Sequence, residues 1–325
     1  MLSFLPGFLR GLIASTLLVV NTLFWCLVLF VLALVKLLLP IAPLRRRLDA
    51  VLNAIATAWV SGNSAWMRLT QRTDWQVEGI EPFTPRGWYL VVANHQSWVD
   101  IFVLQRLFNR RIPLLKFFLK QELIYVPVIG LAWWALDFPF MRRHSEAYLL
   151  KHPERRHDDI EATRRACRKF AHVPTSVMNF VEGTRFTPEK HAAQKSRYKH
   201  LLKPRAGGLG MALNALGERF DSLADVTIVY PDGAPSFWQF LCGGVPRIQV
   251  HVERREIPRD FFAGDFSTDP GIRKQVQRWL LELWREKDAR IGAMLGGDAG
   301  PGDQQSGDAG AGEAKSVDVD AHSAS

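Results

Sequence analysis

His95 is followed five positions later by Asp100, in the run Asn94-His95-Gln96-Ser97-Trp98-Val99-Asp100. An imidazole held on one nitrogen by a carboxylate can take a proton with the other, so the pair is a candidate general base. A surface histidine beside a first-turn aspartate is the plainer reading of that spacing. Location favours chemistry, because the pair follows an apolar run at 88–93, and ligand sites in parallel sheets gather at the carboxyl ends of strands. A second cluster, Phe180-Val181-Glu182-Gly183-Thr184-Arg185, also follows an apolar run. Glycine there permits close backbone approach, and the planar fork of Arg185 suits a phosphate; the plainer reading is a strand exit with a solvated arginine. Ser97 lacks a Gly-x-Ser-x-Gly elbow, so helix capping is favoured over nucleophilic catalysis. The stretch 203–210 could receive an anion at a helix terminus, yet it matches neither the P-loop nor the dinucleotide fingerprint and reads as a turn. No His, Cys or acid cluster has zinc spacing, so no metal and no resident cofactor is expected.

Two polar clusters at strand ends need a scaffold that brings those ends together. Runs rich in Val, Ile, Leu and aromatic residues predict strands near 88–93, 114–117, 136–140, 176–181, 226–230 and 247–252. Helical patterns fill 98–108, 158–171, 208–216 and 272–295. The alternation predicts an α/β domain whose mainly parallel sheet is flanked by helices. The helix expected at 158–171 carries acids first and bases last, a polarity that complements its own dipole.

The chain has 325 residues, 48% hydrophobic, with three cysteines and a net charge of +9. That excludes wholesale disorder and a small disulfide scaffold. The last 28 residues carry −5, leaving +14 on the remainder, a surplus that suits nucleic acid or an anionic membrane. Residues 11–35 decide for the membrane: 25 positions without a charge, between Arg10 and Lys36. A helix of that length is about 37 Å long and predicts an uncleaved transmembrane anchor rather than a secretory signal, whose apolar region is shorter. Lys36 and Arg45 to Arg47 outweigh Arg10, which places the following chain on the cytoplasmic side. Residues 44–69 have one apolar stripe, fitting either an interfacial helix or a helix packed on the domain. The apolar stretch 124–136 is too short to span; it is either core or dips into the leaflet. The expected organisation is an anchor at 1–43, an amphipathic helix and linker at 44–80, an α/β domain at 81–295 and a disordered acidic tail at 296–325.

Asn-His-x-Ser-x-x-Asp at 94–100, followed by Phe-Val-Glu-Gly-Thr-Arg at 180–185, resembles the lysophospholipid acyltransferase family, which includes 1-acylglycerol-3-phosphate acyltransferases. Lys120-Gln-Glu-Leu123 with Pro127 and Gly130 is similar to the family's second block, Phe140-Met-Arg-Arg143 to its Phe-x-x-Arg, and 226–231 to its apolar-proline block. Within the family, 180–188 and 201–205 are closest to the lysophosphatidate and lysocardiolipin subgroup, including bacterial inner-membrane members. Val181 departs from the usual proline, and Pro139 stands beside the second-block phenylalanine. The resemblance implies an acyl thioester on coenzyme A or acyl carrier protein as co-substrate, a membrane lysophospholipid as acceptor and no nucleic-acid partner. It also implies His95 as base, Asp100 as its orienting partner, Arg185 on the acceptor phosphate, and Arg143 as a second phosphate contact. Glu182, Gly183 and Thr184 would shape the acceptor pocket, and the enzyme would sit on the cytoplasmic face of a bacterial inner membrane. An inactive membrane-anchored lipid-binding scaffold, or a phospholipase using Ser97, are the rival readings.

Overall fold

The computed structural model describes residues 2, 4–39, 41–80, 83–141, 173–266 and 268–296. Arg143, Cys167, the helix expected at 158–171 and the tail beyond 296 lie outside the described residues. The chain begins with two long helices, α1 (Gly7–Leu38) and α2 (Ala42–Thr70). They form an antiparallel hairpin: the Leu2 amide reaches the Leu69 carbonyl at 2.9 Å, and Lys36 pairs with Asp49 at 2.7 Å. Mid-hairpin, Asn21 donates to the Trp59 carbonyl and to Asn63 Oδ1, both at 2.9 Å. The anchor therefore does not stand apart from the rest. Its first turns meet Cys242 and Trp238, where any side chain at Gly11 would collide with Sγ, and its end is tied to Asp137 by Lys36 at 2.7 Å. The opposite face of α1, including Phe8, Leu12, Val19, Leu23, Leu27, Val31 and Leu34, is exposed.

The domain then runs β1 (Asp74–Glu78), β2 (Tyr89–Ala93), α3 (Val99–Phe108), β3 (Leu115–Phe117), β4 (Leu119–Lys120), α4 (Ile129–Ala135), β5 (Phe140–Met141), β6 (Ser176–Asn179), α5 (Pro188–Gln194), α6 (Gly207–Leu216), β7 (Ser222–Val229), α7 (Phe237–Leu241), β8 (Arg247–Arg255) and α8 (Pro270–Gly296). Six strands make one sheet in the order β1-β8-β7-β2-β6-β3; only β7 and β8 pair antiparallel. A second, two-stranded sheet pairs β4 with β5. Both faces of the main sheet are covered, which is why β2 reads as an unbroken apolar run. Leu90 and Val92 pack with Leu209, Leu213, Leu280 and Trp284 of α6 and α8. Tyr89, Val91 and Ala93 pack with Val99, Val103, Phe108 and Phe240 on the other face. Between the faces, β2, β6 and β7 run parallel in adjacent positions, so the segments leaving their carboxyl ends emerge together.

The structure differs from the sequence reading in three places. The strand expected at 136–140 starts only at Phe140, because 129–135 coils into α4. That helix buries Ala132 and Ala135 while Tyr125, Leu131 and Trp134 stay exposed, so the stretch 124–136 is core on one side and surface on the other. Strand β1 falls among residues assigned to a linker; its partner β8 lies far along the chain, and a five-residue run with acids at both ends carries little local strand signal. The sheet thus begins at Asp74, ahead of the boundary expected at 81.

Candidate active site

The Asn94 side chain closes β2. Its amide exchanges two 2.8 Å hydrogen bonds with the backbone of Ile228, acting as one more rung between β2 and β7. This fixes where the chain turns into the His95 loop. Asp100 sits in the first turn of α3 with no solvent exposure. Its Oδ2 accepts from the amides of Gln96 at 2.7 Å and Ser97 at 2.9 Å and lies 2.8 Å from His95 Nδ1. Its Oδ1 accepts from the Tyr230 hydroxyl at 2.6 Å. Four donors surround one carboxylate, which satisfies the buried charge. Because Oδ2 can only accept, Nδ1 carries the proton and Nε2 is left as the basic nitrogen. The imidazole is stacked on Phe180, ring centroids 3.9 Å apart, so its plane is set by packing as well as by Asp100.

The second motif grips the backbone of the first. Glu182, which follows β6, accepts from the His95 amide through Oε1 and from the Leu202 amide through Oε2, both at 2.9 Å. It is buried, and burial above all raises its carboxyl from 4.5 to about 8; the two amides oppose the shift and the nearby Asp100 charge adds to it. The His95 carbonyl in turn accepts from the Phe186 amide at 2.7 Å. Gly183 has φ +72, a left-handed conformation that favours glycine, and is open to solvent. Thr184 Oγ1 accepts from Lys190 Nζ at 2.8 Å. The exposed Arg185 guanidinium lies over the Trp98 ring, 4.9 Å from its centroid. The structure thus gathers His95, Asp100, Glu182, Gly183, Thr184 and Arg185 at one edge of the sheet. Glu182 faces backbone amides, whereas Arg185 faces outward.

Ser97 is buried, donating through Oγ to the Pro235 carbonyl at 2.6 Å and accepting from the Val99 amide at 3.1 Å, a capping arrangement. The sequence alone assigns no role to Trp98 and Phe180 within the two clusters, or to Tyr230 and Lys190 outside them. Tyr230 had one available signal: it ends the apolar run of β7, the third strand whose carboxyl end meets the site. Burial first, and then the charge of Asp100, push its phenol well above the usual value, so it remains a donor to Asp100.

An apolar cavity of about 610 Å³ opens beside His95, Trp98 and Phe180 and extends between the hairpin and α3 and α4, past Leu29, Ile55 and Phe138. The imidazole lines the apolar cavity, and the exposed guanidinium rests on Trp98, which lines it too. That combination can deprotonate a hydroxyl on an anionic molecule while housing an alkyl chain.

Comparison with known proteins agrees with the motifs. Lysocardiolipin acyltransferase 1 of Danio rerio is 27% identical over 257 residues, covering 74% of this chain and 61% of its own length. The 1-acyl-sn-glycerol-3-phosphate acyltransferase gamma of Pongo abelii is 30% identical over 217 residues, covering 62% of this chain and 51% of its own. The chain therefore spans between half and two thirds of the length of these curated relatives. The crystal structure of the 1-acyl-sn-glycerophosphate acyltransferase PlsC from Thermotoga maritima aligns with a TM-score of 0.46 and 16% identity, covering 85% of this chain and 97% of that one. The Acyltransferase family model matches residues 74–231, from β1 to the end of the Tyr230 segment, so the match takes in both polar clusters of the site.

Proposed function

We propose that this chain moves a fatty acyl group from a thioester donor, acyl-coenzyme A or acyl carrier protein, to the free hydroxyl of a lysophospholipid, with lysophosphatidate as the leading acceptor. The observation that carries this reading is the imidazole of His95, held through Nδ1 by a fully satisfied Asp100 at the mouth of an apolar cavity. Nε2 takes the hydroxyl proton as the oxygen attacks the thioester carbonyl. The imidazolium, facing Asp100, then protonates the departing sulfur, which leaves readily because a thiol pKa of ~8.5 is far below that of an alcohol. The new ester bond replaces the C–S bond, and His95 ends as it began. No acyl-enzyme is required, and the engaged, buried Ser97 hydroxyl supports direct transfer over a serine-based phospholipase route. Arg185 binds the acceptor phosphate, steadied by Trp98, while Gly183 and Thr184 border that phosphate and Glu182 braces the loop. The cavity houses an acyl chain.

The same reading places the protein on a membrane. Because α1 packs along its length on α2 and on the domain, a perpendicular crossing would drag its neighbours into the bilayer; the hairpin instead lies with its exposed apolar face in one leaflet. The cytoplasmic face of a bacterial inner membrane is the location we favour, because the +14 charge that precedes the acidic tail suits an anionic cytoplasmic leaflet. The test is to incubate membranes containing the chain with a panel of lysophospholipids and either donor, then identify the products. A diacyl product formed with at least one acceptor supports the reading. Lipid binding without turnover on any pair would return the scaffold reading.

A further inference from the structure

The hairpin has a second, open groove whose lining shares no residue with the catalytic cavity. Leu17, Val20 and Phe24 of α1 and Gly62 and Ala65 of α2 line about 650 Å³ of open, mostly apolar space, with Arg68 at one end. A side chain at Gly62 would run into the Asn21 amide, so glycine keeps the two helices close at the floor of the groove. The lined length is about 10 Å along each helix. Arg68 is exposed and lines the groove end, and Arg106 of α3, just outside the lining, reaches the Ser64 carbonyl one helical turn before Arg68. Arg106 rests on the Trp75 ring, 4.5 Å from its centroid, and its other contact is a long 3.5 Å bond to the Ser64 carbonyl. Among the described residues neither arginine has an acidic partner, and Asp74, next to Trp75, engages Gln76 instead. Burial first, and the like charge of Arg68 second, hold the Arg106 guanidinium below its usual value. Two guanidiniums without an acidic partner among the described residues, one lining the polar end of the groove and the other beside the same turn of α2, call for an anion that brings its own apolar chain.

We propose that this groove is a binding site for an anionic phospholipid of the surrounding leaflet, distinct from the catalytic cavity. One acyl chain lies along the seam of α1 and α2, and the phosphate sits on Arg68 and Arg106. The site rests on the leaflet placement of the hairpin and not on the transfer chemistry.

The test uses the full chain, purified in a neutral detergent and stripped of lipid. Retention of dioleoyl phosphatidylglycerol and dioleoyl phosphatidylcholine is measured by native mass spectrometry, alongside the unfolding temperature in mixed micelles of each. Wild type should hold the phosphatidylglycerol roughly tenfold more tightly, the return expected of one charge-assisted contact, and should melt higher in it. The double variant Arg68→Gln/Arg106→Gln should lose that preference, and Ala65→Trp, which fills the exposed groove, should weaken retention of both lipids. Equal retention of the two lipids by wild type, or an undiminished preference in the double variant, would overturn the site. Stabilisation by inorganic phosphate alone equal to that by phosphatidylglycerol would also overturn it, as a free-anion site. Acyl transfer measured in phosphatidylcholine micelles keeps the two proposals separable. Its absence in wild type would remove the transferase reading and leave the lipid result standing, while wild-type transfer rates in the double variant show that its fold is intact.

Discussion

The loops that follow β2 and β6 each offer His95 one buried acid, and the two acids are treated differently. Asp100 receives two backbone amides, an imidazole N–H and a phenol. Among the described residues, Glu182 receives two amides alone. A carboxylate with four donors has its charge replaced bond for bond on leaving water, whereas one with two does not, and burial lifts Glu182 to about 8. The first loop therefore holds the charge that orients and stabilises the base, and the second positions it from behind through the backbone. The same contrast extends to mobility: His95 is pinned on its ring, its amide and its carbonyl, while Arg185 in the second loop is exposed and rests on Trp98. A group that moves protons needs fixed geometry, and one that collects a phosphate from a membrane has to reach for it.

That division can be broken most severely at Asp100. Asp100→Ala should lower acyl-transfer turnover by about 10⁴-fold, because it removes both the tautomer lock and the counter-charge. Asp100→Asn should cost less, about 10²-fold. Two amides point at the Oδ2 position and cannot accept, so the introduced NH₂ is driven to the Tyr230 side, and the remaining oxygen still orients Nδ1. Equal losses in the two variants, measured under saturating substrates, would mean that orientation and charge are not separable here.

Arg185→Lys keeps the charge and removes the fork, so the acceptor KM should rise about 10- to 100-fold, ~1.4 to 2.7 kcal/mol, with donor KM little changed. Added salt should weaken the lysine variant more than wild type. Equal loss for the donor would move Arg185 to the donor's phosphates. Tyr230→Phe leaves one Asp100 oxygen without its donor and should cost about 1 to 3 kcal/mol of stability, read from the urea midpoint, with a smaller loss of turnover than either Asp100 variant.

At Glu182 the expected effect leaves turnover aside and concerns the pH dependence of stability. The folded chain holds the Glu182 proton up to about pH 8, while an ordinary glutamate releases it near 4.5. Its contribution to stability is therefore full below about 4.5 and is lost as pH rises through about 8. Glu182→Gln should flatten that slope in urea unfolding across this range, and an unchanged slope would assign the pH dependence to other groups.

Much of this arrangement is legible in the amino-acid order because it is local. The His95 to Asp100 spacing spans one loop and the first turn of a helix, and the apolar runs of β2, β6 and β7 are dense enough to mark strands. Contacts closed by topology are not legible in the same way. Tyr230 reaches Asp100 across 130 positions, and only the parallel register of β2 and β7 brings them together. Strand β1 depends on β8 for its existence. The hairpin is another case: a 25-residue uncharged run reads as a membrane anchor, and α1 is long and apolar enough to cross one, but the partners of Asn21, Lys36 and Gly11 are named by no local pattern. Glu182 reads as a group facing substrate until its two amide partners are located.

The central claim is that the acyl group passes directly from thioester to hydroxyl, with His95 acting only as the base. The most direct measurement follows consumption of a labelled acyl thioester by wild type and by His95→Ala, each with and without lysophosphatidate, together with label retained on the denatured protein. The account predicts rapid consumption only for wild type with acceptor, a loss of about 10² to 10⁴ in His95→Ala, and no label on either protein. Label retained on the wild-type protein, or a His95→Ala rate above about a tenth of wild type, would contradict it.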